Sequence, residues 1–169
     1  MLTLELLLTV ISAMLCLIDS YPSGAPSSSC INLLPNHHGT ASQPLPAPYT
    51  ISINRDTYSP RTPLIVFGKP AFMAFLIQGQ RKDTGDPAGE FVRLPANTKY
   101  LRCSNEQDSV THSNPTPRNI SQFVWNPPLD DVGEIVFKGT VARTKSFYYG
   151  GLESKSIKYV PGSSELFNL

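Results

Sequence analysis

Tyr49-Thr50-Ile51-Ser52-Ile53-Asn54 alternates apolar and polar side chains at every step. That is the period of a β-strand with one buried face and one wet face. Working outward, residues 64–67 form a short apolar run bounded by Pro63 and Gly68, and residues 72–77 are apolar at every position. The second run suits a central strand covered on both sides. Asp83-Thr84-Gly85-Asp86-Pro87-Ala88-Gly89 is a dense turn signal, and Phe91-Val92-Arg93-Leu94 resumes strand character behind it. Tyr100-Leu101-Arg102-Cys103 is read as a further strand, and residues 104–119 as a polar stretch. Phe123-Val124-Trp125 alternates and stops at Pro127-Pro128. Ile135, Phe137, Gly139 and Val141 share one strand face, and residues 147–157 supply a last strand region interrupted by Gly150-Gly151. Seven or eight short strands, with no amphipathic helix after residue 20, predict an all-β, two-sheet antiparallel sandwich with Trp125 in its core.

The N-terminal 20 residues differ from the rest. Residues 6–18 are apolar except Thr9 and Ser12, a length that fits a signal-peptide core and falls short of a bilayer span. Ser20 and the turn-forming Tyr21-Pro22-Ser23-Gly24-Ala25-Pro26 follow, so residues 1–20 are read as a signal peptide cleaved after Ser20. Glu5 stands where a leader usually carries positive charge, and a buried first helix is the competing reading. Residues 21–169 then make a single domain, exported to the extracellular space and lacking a membrane span. Residues 21–48, rich in Pro, Ser and Gly, read as a loop-like lead-in.

Of three cysteines, Cys16 lies in the leader, which leaves Cys30 and Cys103 to form one disulfide in an oxidising compartment. Two cysteines are too few for a usual zinc site. No phosphate loop, nucleophile elbow or catalytic constellation is present, so the expectation is a protein with no catalytic residues, no bound metal and no cofactor. A net charge of +1 gives no reason to expect nucleic-acid binding. Asn119-Ile120-Ser121 is a glycosylation sequon at the end of the polar stretch. Between Phe137 and Val160, Lys138, Arg143, Lys145, Lys155 and Lys158 face Glu153 alone, a candidate anion-binding patch for acidic glycans or lipid-linked phosphates.

These residues also resemble a known family. Tyr21-Pro22-Ser23-Gly24-Ala25-Pro26 with Cys30, Leu34-Pro35-Asn36-His37-His38-Gly39, Phe72-Met73-Ala74-Phe75-Leu76-Ile77-Gln78 and Pro87-Ala88-Gly89-Glu90-Phe91 are similar to the reeler (reelin N-terminal) domain family. Thr111-His112-Ser113-Asn114, Trp125-Asn126-Pro127-Pro128 and Gly133-Glu134-Ile135-Val136-Phe137 extend the likeness, from about residue 21 to 160. Within the family, the chain resembles the short insect defence proteins. The resemblance implies an immunoglobulin-like sandwich and a role in innate immunity. Its implied partners are microbial surface glycans or lipopolysaccharide and the haemocyte surface, leading to nodulation in the haemolymph. An extracellular-matrix module binding glycosaminoglycans, and an accessory to an iron reductase, are the rival readings. The chain departs from the family pattern at Phe147-Tyr148-Tyr149 and at Gly68-Lys69-Pro70, which looks short for a hairpin.

Overall fold

The structure, a computed structural model, describes residues 22–35, 37, 39–57 and 62–160. The proposed leader and its cleavage point lie outside these residues. Among the described residues the chain forms nine strands: β1 (Tyr49–Ile53), β2 (Thr62–Phe72), β3 (Ala74–Arg81), β4 (Glu90–Arg93), β5 (Thr98–Leu101), β6 (Ser109–His112), β7 (Arg118–Asn126), β8 (Ile135–Thr144) and β9 (Phe147–Glu153). They build two sheets, of order β1-β2-β7-β4 and β5-β6-β3-β8-β9, with antiparallel pairing throughout. The expected sandwich is therefore the observed architecture.

The strand boundaries differ from the sequence reading in instructive ways. Residues 72–77 are not one strand: Phe72 closes β2 against Arg118 of β7, and Ala74 opens β3 against Ala142 of β8. The chain changes sheets at Met73, so Phe72 and Phe75 enter one core from opposite walls. Gly68-Lys69-Pro70 is not a hairpin but lies inside β2, where the register with β7 slips between Phe67 and Phe72. The polar stretch hides β6, Ser109–His112, all four of whose residues are buried. Gly150-Gly151 does not interrupt β9, although the β8–β9 register shifts on either side of the pair Val141 and Tyr149.

Alternating strand faces deliver a continuous aromatic interior. Tyr49 packs edge-on against Phe72 (ring centroids 5.8 Å apart), Phe72 against Phe75 (6.2 Å) and Phe75 against Phe123 (5.5 Å). Phe123 continues to Phe91, Phe91 to Phe137, and Phe137 to Trp125 at 5.1 Å. Each such contact adds about 0.5–1.5 kcal/mol beyond simple burial. Trp125 is fully buried, and its indole Nε1–H donates to the Ala88 carbonyl at 3.2 Å. Gly89 makes that seat possible: its φ of +68° favours glycine, and a Cβ there would fall 2.3 Å from the indole ring.

Candidate functional site: a strap, its cavity and a basic corner

Part of the outer face of the five-stranded sheet is shielded from water: Leu76 of β3 and Thr140 of β8 are buried there. Residues 22–35, 37 and 39–43 cross that face as a strap, and hydrogen bonds fasten it along its length. The Ala25 amide donates to Thr111 Oγ1 on β6 (3.0 Å), and Thr140 Oγ1 on β8 donates to the Leu33 carbonyl (2.6 Å). Further along, the Gly150 amide of β9 donates to Ser42 Oγ (2.8 Å), and the Gln43 amide donates to the Tyr148 carbonyl (2.8 Å). Leu34 lies directly over Gly150, where a Cβ would come within 2.4 Å of its Cδ2. The loop-like lead-in is thus a docked layer, held at many more points than Cys30.

The covalent tie is a disulfide between Cys30, at the end of the 3-10 turn Ser27–Cys30, and Cys103, just after β5, with Cα atoms 5.4 Å apart. Beside it, the fully buried Asp108 carboxylate accepts from the amides of Cys103 (3.0 Å), Ser104 (2.6 Å) and Asn105 (2.7 Å). Ser109 Oγ donates to the same carboxylate at 3.0 Å, and Gln78 Nε2 donates to Ser109 Oγ at 2.8 Å. This polar cluster explains why β6 can be buried while reading as polar: its groups find partners inside the protein. The sequence reading, which took residues 104–119 as a polar stretch, missed this cluster; the turn-forming Ser104-Asn105 ahead of Asp108 is a signal that could have marked it.

Between strap and sheet lies a cavity of about 220 Å³. Ala74 and Leu76 of β3 and Ala142 of β8 line it from the sheet, and Leu33, Leu34 and Pro35 line it from the strap. At its margin stand Arg143, Thr144 and Lys145, the last two exposed. The five cations singled out from sequence are not gathered there. Lys138 sits opposite Glu153 in the β8–β9 ladder, with Nζ 3.6 Å from its carboxylate. Lys155 pairs with Asp56, and Lys158 lies 3.4 Å from Glu134. Arg143 lies over the Phe147 ring at 5.4 Å, and neither it nor Lys145 pairs with a carboxylate among the described residues. Counting charge along residues 137–160 missed the carboxylates that Asp56 and Glu134 bring from outside that segment.

Glu134 is the hub of this neutralisation. Lys82 Nζ donates to it at 2.7 Å. That bond first, and one from Ser156 next, hold its carboxyl down at about 2, and Lys158 adds to the effect. The same pairing raises Lys82 above its ordinary value. A depressed carboxyl contributes stability above its unfolded value, near 4.5, and loses it as pH falls through the folded value. Thermal melts of Glu134→Gln should therefore lie below those of the parent at pH 6, and the gap should close between pH 4.5 and 2. A Glu134 carboxyl titrating by NMR near 4.5 would refute the hub.

Asn119 falls within β7, not at a loop end, and is exposed. His112 is buried at the end of β6, His37 lines the cavity, and His38 lies outside the described residues. Among the described residues no three metal-ligating side chains cluster, and no helix is long and apolar enough to cross a membrane.

An all-β sandwich whose N-terminal segment is bonded across one sheet as a third layer is the class of fold that these elements define. Comparison with known proteins makes this specific. The chain belongs to the Reeler domain family, which its residues 28–165 match. It is 30% identical over 155 residues to Defense protein l(2)34Fc of Drosophila melanogaster, covering 89% of this chain and 96% of that protein. It is 32% identical over 159 residues to Hdd11 of Hyphantria cunea, covering 89% and 95%. Ferric-chelate reductase 1 of Bos taurus is 28% identical over 137 residues, which span 78% of this chain but 23% of that protein. The human F-spondin reeler domain shares the fold, with a TM-score of 0.60 at 21% identity over 80% of this chain and all of that one.

Proposed function

We propose that this protein is a secreted, non-catalytic defence protein. It binds anionic amphiphiles of microbial surfaces, lipopolysaccharide foremost, and so marks them for haemocyte aggregation. The observation that carries the reading is the basic corner. Of the five C-terminal cations, Arg143 and Lys145 are the two without a carboxylate partner among the described residues, and both border the cavity. Likeness to a defense protein over nearly the full length of both chains supports the role. The Cys30–Cys103 disulfide supports export, because such bonds persist in oxidising compartments. The apolar segment at residues 6–18 and the exposed Asn119 sequon fit the same route.

Binding to lipopolysaccharide vesicles, followed against salt, tests the proposal. Arg143→Gln with Lys145→Gln should lower affinity about tenfold and flatten the salt dependence, as expected for loss of two charge-assisted contacts. Lys138→Gln, Lys155→Gln and Lys158→Gln together should change it less than threefold, since each already has a carboxylate partner. Equal losses from both sets would refute the basic corner. Heparin binding as tight as lipopolysaccharide binding would favour the matrix reading.

A further inference from the structure

The cavity under the strap is large enough for a small apolar ligand. Protein interiors pack as densely as organic crystals and keep few voids larger than a water molecule. At about 220 Å³ this one exceeds the 150 Å³ apolar cavity that suffices to bind benzene. Its floor is kept low by two small residues in register, Ala74 of β3 opposite Ala142 of β8. Its roof is fastened over that floor by hydrogen bonds to β6 and β8 and by the disulfide.

One wall residue asks for a partner. Ser29 is 1% exposed, lines the cavity, and its Oγ has no hydrogen-bond partner. A buried hydroxyl without a protein partner is costly, so Ser29 Oγ is open to a polar group that enters the cavity. Largely apolar walls, polar groups at Ser29, His37, His112 and Thr140, and two cations at the edge specify the occupant's chemistry. It has a hydrocarbon chain for the walls, an oxygen on or next to the chain for Ser29, and an anionic head for Arg143 and Lys145.

We propose that the cavity between the strap and the five-stranded sheet is an acyl-chain site, which takes one fatty chain of an anionic amphiphile with its head at Arg143 and Lys145. This rests on the reading of the basic corner given above and deepens it. The chain is bound by insertion, and the head by charge. Polysaccharide alone would engage only the corner.

Decanoate, below its micelle concentration, is the probe. Titration should show saturable binding by the full mature chain, with intermolecular NOEs from the decanoate methyl to the side chains of Leu33 and Leu34. Ala74→Phe and, separately, Ala142→Leu should each weaken binding at least tenfold by filling the floor. Ser29→Ala should weaken it severalfold, and 1-decanol, lacking the charge, should bind more weakly than decanoate and be indifferent to Arg143→Gln with Lys145→Gln. Melting temperature identifies any variant that fails to fold, and the NOEs on the parent protein decide the matter without variants. Decanoate that shows no contact with Leu33 or Leu34, or whose affinity survives both floor variants, overturns the acyl site. Lipid-free polysaccharide binding as well as intact lipopolysaccharide overturns it too, yet leaves the defence reading standing. Decanoate held as described, with no lipopolysaccharide binding, supports the site and overturns the microbial target.

Discussion

Replacing Cys30 and Cys103 with alanine should lower the free energy of unfolding by about 4 kcal/mol, the chain-entropy cost of reopening a loop of this length. The bridge spans 73 positions. Since small domains are stable by about 5–15 kcal/mol, much of the total is at stake. The two ends should respond differently. Cys103 sits in a turn that the Asp108 carboxylate holds through three backbone amides, so its surroundings should persist without the bond. Cys30 belongs to the strap, whose other ties to the sheet include scattered single hydrogen bonds at Ala25, Leu33, Thr40, Ser42 and Gln43. Hydrogen exchange should therefore quicken at the strap amides, Leu33 and Gln43 among them, far more than at β3 or β8. Urea unfolding of the variant and of the reduced parent checks the magnitude. A shift below about 1 kcal/mol, or equal loss of protection across both sheets, would contradict this division of labour.

Trp125→Ala should cost about 3–5 kcal/mol, the range for deleting a large buried aromatic side chain. The loss has several sources. The indole closes the aromatic series through Phe137, and its N–H satisfies the buried-side carbonyl of Ala88. The site can collapse little, because Asn126 is paired with Glu90 in the sheet and Gly89 holds a backbone conformation that favours glycine. Trp125→Phe separates the effects. It keeps most of the apolar area and forfeits the donation to Ala88, so about 1–3 kcal/mol should be lost. Thermal and urea unfolding of both variants provides the comparison. Were the two equally destabilised, the hydrogen bond and not the packing would dominate.

Local pattern suffices for some strands and fails for others. Tyr49–Ile53 and the inward set Ile135, Phe137, Gly139 and Val141 were legible because period-two alternation records one wet and one dry face. Trp125 was legible for the same reason. β6 was not: Ser109, Thr111 and His112 are polar types, and only partners from β3, the strap and Asp108 make their burial tolerable. The sheet change at Met73 was hidden as well, since a residue apolar on both sides of a crossing looks like an uninterrupted buried strand.

The candidate site divides along the same line. Sequence found Arg143 and Lys145 but could not separate them from Lys138, Lys155 and Lys158, whose neutralising carboxylates include Asp56 and Glu134 from elsewhere in the chain. It found Ser29 and Leu34 only as members of a loop-like lead-in.

By itself, then, the sequence determined the fold class, the core face of most strands, the pairing of Cys30 with Cys103 and the family likeness. Each of these depends on residue type, spacing or simple count. Tertiary structure alone decided which cations stay unpaired, that the lead-in lies across the five-stranded sheet, and that a cavity opens between them. Those properties belong to contacts between segments as far as 108 positions apart, and no local periodicity carries information over that distance.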